Sequence, residues 1–353
     1  PPAALIKASM LNTAEDIGNP GPDFIYGWGR VNALRALRTL EDSRFITDSI
    51  GQGGNNTHSI TVPAGTAEVR VMVYWSDVGG SPASAPSLVN NLNMTVTDPS
   101  SAVWNPWILD PTPLVASLSA PAVRGVDSLN NMEQVTLSNP AAGTYTVTIN
   151  GNAIPSIGQR YYLVWEFRTE EVTMTYPSGG EGLVPGETEV LRWDGQRDLG
   201  SYALDYTTDN GATWNVIAST VPQTLQQFNW VVPNTVSGDV KVRVSRNGFT
   251  DESDTSLAII GLPTGITVDW ACPDSIRLIW NPVNGAVGYT AYQLGAKFME
   301  PVGTSTTNSI VISGTNPNLA YWFSVSAITP EGNNGRRANA IYKAPGTFSC
   351  PLA

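Results

Sequence analysis

Short stretches of alternating apolar and polar residues, separated by Gly- and Pro-rich turns, constrain the fold of this 353-residue chain more than any other feature. Clear examples are residues 68–75 (EVRVMVYW), 91–97 (NLNMTVT) and 143–149 (GTYTVTI). Alternation points every second side chain to the same side, which predicts strands that bury one face of a sheet. The chain has 33 Gly and 26 Pro, and only 14% of its residues are charged. We therefore predict a mainly β fold of tandem β-sandwich or jelly-roll domains, because one core rarely spans this length.

Residues 1–41 depart from this pattern and predict two helices. The first helix carries Leu5, Ile6 and Met10 at near-helical spacing. Apolar residues repeat every three positions along one face of the second, at Val31, Leu34, Leu37 and Leu40. A Gly- and Pro-rich loop at 18–23 separates the two helices.

Two motifs lie in this helical segment, LIKASMLNTA at 5–14 and GWGRVNALRA at 27–36. Their order and spacing resemble the end of the catalytic domain in subtilisin-like serine proteases (subtilases). In that family the segment follows the helix that carries the nucleophilic Ser. The resemblance implies that residues 1–41 are a two-helix remnant of a subtilase α/β domain, and that the chain is a C-terminal fragment cut after its catalytic Ser.

A Ser-His-Asp triad needs a His that acts as general base beside the Ser. The chain has one His, His58, which lies in the strand-like stretch NNTHSITV. We interpret His58 as a surface or edge-strand residue and assign no catalytic residue. The chain is therefore expected to be inert alone, while the resemblance implies a parent that is a serine endopeptidase acting on polypeptides.

Residues 42–169 carry three further stretches of a second resemblance, at 88–99 (LVNNLNMTVTDP), 127–135 (DSLNNMEQV) and 139–145 (NPAAGTY). They resemble the jelly-roll barrel that follows the catalytic domain in some subtilases and, more distantly, the P domain of proprotein convertases. The resemblance implies a domain that buttresses the parent protease domain in cis.

Calcium is the one cofactor that this region predicts. The candidate ligands are Asp127, Asn130, Asn131 and Glu133, with Asp77, Asn90 and Asn91 on neighbouring loops. Ca²⁺ takes several oxygen ligands from carboxylates, amides and carbonyls, and related jelly rolls bind it. The alternative is that Asn130 and Asn131 only form a turn while Glu133 faces solvent.

Residues 170–261 and 262–353 predict two further β-sandwiches. The first is interpreted as immunoglobulin-like. The second resembles a fibronectin type III domain through SIRLIW at 275–280 and YWFSVSA at 321–327, where Tyr321 is expected to lock a sandwich corner through its hydroxyl. Its Cys272 and Cys350 are either a disulfide or two buried thiols. A disulfide would stabilise the folded state by about 4 kcal/mol and would fit an oxidising compartment.

The charge balance limits the partners. A formal net charge of −11 argues against nucleic acid, whose phosphates need clustered Lys and Arg. The chain has no run of 18 apolar residues, so its sequence predicts no membrane span. We expect an extracellular protein whose sandwiches space the protease domain or bind a protein or glycan, for which Trp104 and Trp107 are candidates. The alternatives are a surface adhesin or carbohydrate-binding protein, and a protease-like scaffold without its triad.

Overall fold

The computed structural model describes residues 1–82, 87–155, 157–196, 200–316, 318–346 and 349–350. The chain divides into two compact units, Pro1–Glu170 and Glu171–Ala353. Both consist mainly of antiparallel sheets, and within the described residues short helices occur only in the first. The prediction of a mainly β fold is confirmed.

The first unit begins with two helices and continues as a two-sheet barrel. Its elements are α1 (Ala3–Asn12), α2 (Ala33–Glu41), β1 (Phe45–Ile50), β2 (Asn55–Val62), β3 (Glu68–Trp75), β4 (Asn91–Thr97), β5 (Val103–Trp104), β6 (Trp107–Ile108), α3 (Val115–Leu118), β7 (Val123–Arg124), β8 (Met132–Ser138), β9 (Gly143–Ala153) and β10 (Gln159–Arg168). The sheets have the orders β1-β10-β3-β8 and β2-β9-β4-β5. This alternation of strands between two facing sheets is that of a jelly roll.

The strand β3 is buried on both faces, unlike the one-sided burial that its alternation predicts. Val71, Val73 and Trp75 point into the barrel core. Met72 and Tyr74 point outward, but the helices cover that side. The polar positions of EVRVMVYW therefore face protein rather than water, because residues 1–41 pack on the outer face of the sheet.

The second unit contains two sandwiches. The strands of the first sandwich are β11 (Val172–Tyr176), β12 (Gly182–Leu183), β13 (Thr188–Gly195), β14 (Tyr202–Thr207), β15 (Asn215–Val221), β16 (Gln227–Val231), β17 (Ser237–Arg246), β18 (Phe249–Glu252) and β19 (Leu257–Ile259). Its sheets are β11-β13-β16 and β12-β19-β17-β14-β15, with β18 on β17. The short β12 pairs in parallel with β19, an arrangement that immunoglobulin-like sandwiches share.

The strands of the second sandwich are β20 (Thr267–Ala271), β21 (Ser275–Ile279), β22 (Gly288–Leu294), β23 (Met299–Ser305), β24 (Ser309–Ser313), β25 (Tyr321–Ile328) and β26 (Ile341–Lys343). The sheets β20-β21-β24 and β23-β22-β25-β26 have the strand order of a fibronectin type III domain. Trp280 packs edge-on against Tyr289 with ring centroids 5.2 Å apart. The hydroxyl of Tyr321 accepts the Asn316 N–H at 2.8 Å, as expected for a corner tyrosine.

Candidate functional site on the helical segment

One face of α1 is buried against the outer face of the jelly roll. Leu5 and Ala8 pack with Met72, Tyr74 and Tyr162 in a small apolar cluster that is separate from the barrel core. Leu5 and Ala8 are no more than 2% exposed. The helix is thus held by burial of its own apolar side chains, which stabilises by about 1.5–3 kcal/mol for a Leu-sized group.

A buried charge network lies beside this cluster and joins α2 and the loop after α1 to the sheet. Its members, here called the six-residue network, are Glu15, Arg35, Glu68, Arg70, Glu166 and Arg168, each at most 7% exposed. Asn32 caps α2 by accepting the N–H of Arg35 at 3.0 Å, which starts the helix where Arg35 can reach the network. Three positive and three negative side chains share the site, so their charges balance.

The ion pairs run from the helical segment to the strands. Arg35 Nη1 lies 2.6 Å from Glu15 Oε1, and Arg35 Nε lies 3.7 Å from Glu166 Oε1. Arg168 Nη1 lies 3.3 Å from Glu68 Oε1, and Arg168 Nη2 lies 3.6 Å from Glu15 Oε2. Arg70 pairs with Glu68 and also donates to the Ala14 carbonyl at 2.5 Å. The helical segment is therefore fixed to the barrel by directional contacts as well as by apolar ones.

The network perturbs its own carboxyl groups. Burial by itself would raise the pKa of Glu68, but the charges of Arg70 and Arg168 outweigh it and lower this pKa to about 2. Burial dominates at Glu166 and raises its pKa, although Arg35, Arg168 and Arg70 act against it. Such opposite shifts follow when desolvation and nearby charges compete.

The sequence contains a signal for this network that the pattern of alternation hides. Glu68 and Arg70 are two residues apart on β3, as are Glu166 and Arg168 on β10, so each pair shares one face. In the sheet, Glu166 lies opposite Arg70 and Arg168 lies opposite Glu68. Complementary i, i+2 charges on two predicted strands are therefore a usable sign of a covered sheet face.

The outer side of the helical segment carries an apolar groove of about 320 Å³. It is lined by Ala3, Ile6, Lys7, Met10, Leu11, Ala14, Trp28, Gly29 and Val31. Ile6, Met10 and Val31 are 40%, 38% and 54% exposed. Groups of exposed apolar side chains on one surface are typical of interaction sites.

The predicted calcium ligands lie at the end of the barrel where β8 begins. Asp127 is buried and accepts the N–H groups of Leu129 and Asn130 at 2.8 and 3.1 Å. The Asn130 amide also donates to Asp127, while that of Asn131 donates to the Trp75 carbonyl at 2.7 Å. Asp127 and Asn130 therefore form an Asx-type turn, and Asn131 connects that turn to β3.

Glu133 does not face solvent, contrary to the alternative weighed from the sequence. Its side chain is 1% exposed and its Oε2 accepts the Met94 N–H at 2.6 Å. Burial raises its pKa well above the ordinary value, and the charge of Asp127 adds to this against the Met94 hydrogen bond. Within the described ranges, Glu133 Oε1 has no hydrogen-bond partner, and neither do the buried Oδ1 atoms of Asn91 and Asn93 on β4.

Other candidate ligands have structural partners. Asp77 accepts the N–H groups of Val89 and Asn90 at 2.6 and 2.9 Å and so closes the loop before β4. The Asn90 amide donates to Gln159 at 2.7 Å. Across the part of the chain that the structure describes, no three His, Cys, Asp or Glu side chains are grouped as they would be around a metal ion.

His58 lies on β2, an edge strand, and its imidazole Nε2 is 2.7 Å from the Tyr161 hydroxyl. The Asp48 carboxylate lies 3.8 Å from the same nitrogen. Only 10% of the His58 side chain is exposed, so it is largely shielded from water. The interpretation as an edge-strand residue fits this position.

The two loop tryptophans lie on different short strands and contact different partners. Trp104 is on β5 and donates to Asp98 at 3.1 Å. Trp107 is on β6, where the Arg124 guanidinium lies 3.6 Å from its ring centroid.

In the second unit, Cys272 and Cys350 are joined by a disulfide with Cα atoms 4.8 Å apart.

Among the described residues, none of the helices has the length and apolar character needed to cross a bilayer.

The chain is similar over part of its length to two curated proteins, while no family model matches it. It is 24% identical over 177 residues to the serine protease/ABC transporter B family protein tagA of Dictyostelium discoideum, covering 46% of this chain and 10% of that protein. It is 32% identical over 79 residues to a poly(3-hydroxybutyrate) depolymerase of Ralstonia pickettii, covering 22% and 15% respectively. The chain therefore spans a small part of the length of these relatives.

Solved structures similar to the chain include fibronectin type III domains. The FN5 domain of Drosophila Lar is 29% identical, with a TM-score of 0.21, and the match covers 25% of this chain and 99% of that domain. The fn3 domain of human collagen alpha-1(XX) is 21% identical, with a TM-score of 0.21, covering 27% and 91%. Since each match covers about a quarter of the chain, the fold of the last module is assigned from its own strand order.

Proposed function

We propose that this chain is the non-catalytic C-terminal region of a secreted subtilisin-like serine endopeptidase. The observation that carries the proposal is the two-sided helical segment. Its inner face is fixed to the jelly roll, while its outer face leaves an apolar groove open. The subtilase-like motifs at 5–14 and 27–36 lie on this segment, so the groove is where a catalytic domain would pack.

Further support comes from the relative tagA, whose name includes a serine protease. In the proposed parent, the jelly roll holds the helical segment in place and thereby buttresses the catalytic domain. Proteolysis of polypeptides belongs to the parent alone, since this chain has no triad that we can assign. The disulfide between Cys272 and Cys350 supports an extracellular location, because such bonds persist in oxidising compartments.

A fluorophosphonate probe, which labels an activated serine, tests the catalytic part of the proposal. We expect labelling of the full-length parent and none of this chain. Labelling of neither protein would move the assignment to a protease-like scaffold without its triad. Labelling of this chain would overturn the assignment of its helical segment.

Docking is tested by mixing this chain with the separately produced catalytic domain and measuring association by titration calorimetry. We expect Val31→Asp to weaken binding at least about tenfold, because it places a charge in an apolar contact. The matched control is Val103→Asp on β5, which lies in the other sheet and is similarly exposed, at 60% against 54%. Equal affinity of both variants would refute the groove as the docking surface.

We also propose that calcium binds at the β8 end of the barrel. Asp127 and Glu133 are buried carboxylates that interact electrostatically, and the free Oε1 of Glu133 offers an oxygen ligand. The oxygens of Asn130 and Asn131 add to the proposed set, and Ca²⁺ takes six to eight such donors in all. We expect calcium to raise the melting temperature of the first unit, and Glu133→Gln to abolish this rise. An unchanged melting temperature, with no ion in calcium-soaked crystals, would reject the site.

A second candidate function is carbohydrate binding by the fibronectin-like module, in a surface adhesin or carbohydrate-active protein. It is favoured by Trp322 and Tyr342, neighbours on β25 and β26 that are 43% and 52% exposed with ring centroids 5.0 Å apart. Exposed aromatic faces stack on sugar rings. A glycan array comparing the chain with Trp322→Ala would test it, and the absence of any Trp322-dependent signal would remove this candidate.

A further inference from the structure

The two sandwiches of the second unit meet without a linker. Ile259 ends β19 and is fully buried in the core of the first sandwich. The next residue, Ile260, is fully buried in the core of the second. Its backbone N–H still donates to the Leu183 carbonyl of the first sandwich at 3.1 Å. Consecutive residues therefore belong to two cores, which restricts bending at this step.

A loop of the second sandwich, residues 329–337 between β25 and β26, contacts the first sandwich at Gly238. Glu331 Oε2 accepts the Gly238 N–H at 2.6 Å. The Asn333 amide donates to the Gly238 carbonyl at 2.7 Å. A Cβ on Gly238 would lie 2.4 Å from the Thr329 hydroxyl, so only glycine permits this approach.

The same loop makes a second contact through Arg336. Its Nε donates to the Gly182 carbonyl at 3.1 Å, and its Nη1 lies 2.6 Å from Glu187. Its Nη2 pairs with Glu189, which is largely buried. A Cβ on Gly182 would lie 1.9 Å from the Arg336 nitrogen. The guanidinium thus engages a strand backbone and two carboxylates of the neighbouring sandwich.

We propose that residues 329–337 clamp the two sandwiches into one rigid spacer of fixed angle. Tandem domains joined by few contacts move relative to each other by default. Here the shared Ile259–Ile260 step, the Gly238 contact and the Arg336 contact fix three separate points. This inference is independent of the proposed protease function.

Double electron–electron resonance on the full chain measures the distance between two spin labels and tests the clamp. Spin labels are placed on Ser219→Cys in the first sandwich and Ser313→Cys in the second, both exposed positions on strands. The expected result is one narrow distance distribution. Arg336→Ala combined with Glu331→Ala removes charged contacts and is expected to broaden the distribution by about twofold or more.

Arg337→Ala is the matched control, because Arg337 contacts the Tyr292 ring of its own sandwich at 5.2 Å. It should leave the distribution narrow. A broad distribution in the otherwise unchanged chain would overturn the rigid spacer. An unchanged distribution in the double variant would overturn the clamp as its cause. Circular dichroism of each variant confirms that both sandwiches remain folded.

Discussion

Replacing Glu68 by Gln tests whether the six-residue network holds the helical segment on the barrel. The substitution keeps the shape of the side chain but removes its charge. It leaves Arg70 and Arg168 buried with one carboxylate fewer, and removing one partner from a buried ion pair is strongly destabilising.

The pKa of Glu68 gives the magnitude. Its ordinary value of 4.5 falls to about 2 in the folded protein. A difference of about 2.5 units corresponds to about 3 kcal/mol of folding free energy. Because the folded pKa is lowered, this contribution is fully present above pH 4.5 and is lost as the pH falls towards 2. Glu166 acts in the opposite direction, since a raised pKa favours the folded state at low pH.

Differential scanning calorimetry of the full chain at pH 7 measures the effect on the first unit. A loss of about 3 kcal/mol lowers its melting temperature by about 6–12 °C for a domain of this size. The control is Glu41→Gln, at an exposed position on α2, which should change stability by less than about 0.5 kcal/mol. The gap between wild type and Glu68→Gln should narrow from pH 4.5 to pH 2. Equal melting of the two variants at pH 7 would refute the network as a stabilising anchor.

Four other substitutions are expected to act locally, and thermal unfolding measures each. Gly29→Ala should cost more than about 3 kcal/mol, because its φ of +99° is strained for other residues and a Cβ would lie 2.0 Å from the Glu15 carbonyl oxygen. Gly27→Ala, at φ +61° in open space, should cost about 1 kcal/mol. Cys350→Ser should destabilise the second unit by about 4 kcal/mol, an effect that a reductant reproduces in the unaltered chain. Tyr161→Phe should lower the free energy of unfolding by about 1–3 kcal/mol, since the Tyr161 hydroxyl is hydrogen-bonded to two side chains of β2.

The main strands could be predicted because their alternation is local. Glu68–Trp75 and Asn91–Thr97 have the predicted bounds, and α1 and α2 lie within residues 1–41 as expected. Val31, predicted on the second helix, precedes α2, and α3 (Val115–Leu118) was not predicted. The short β5, β6 and β7 carry no periodic signal, since two residues cannot show a period. Burial was harder to predict. The polar residues of β3 indicated a solvent-facing side, but residues distant in sequence cover it.

The site could be predicted only in part, for the same reason. The cluster around Asp127 and Asn130 is local in sequence, so its turn geometry follows from residue type. Glu133 is different, because its hydrogen-bond donor, the Met94 N–H, is 39 residues away. The six-residue network joins a loop, a helix and two strands, and pairing across such separations is visible only once the sheet register is known.

The helical segment differs in kind between its two faces, and this difference bears on its role. The inner face combines a buried apolar cluster with charged groups whose pairs are directional. Such buried pairs add less stability than apolar groups of the same volume, so we interpret them as fixing orientation. The outer face is an apolar groove, where burial is non-directional but strong. A segment oriented by one domain and available for hydrophobic packing against another is suited to transmit the position of the jelly roll to the proposed catalytic domain.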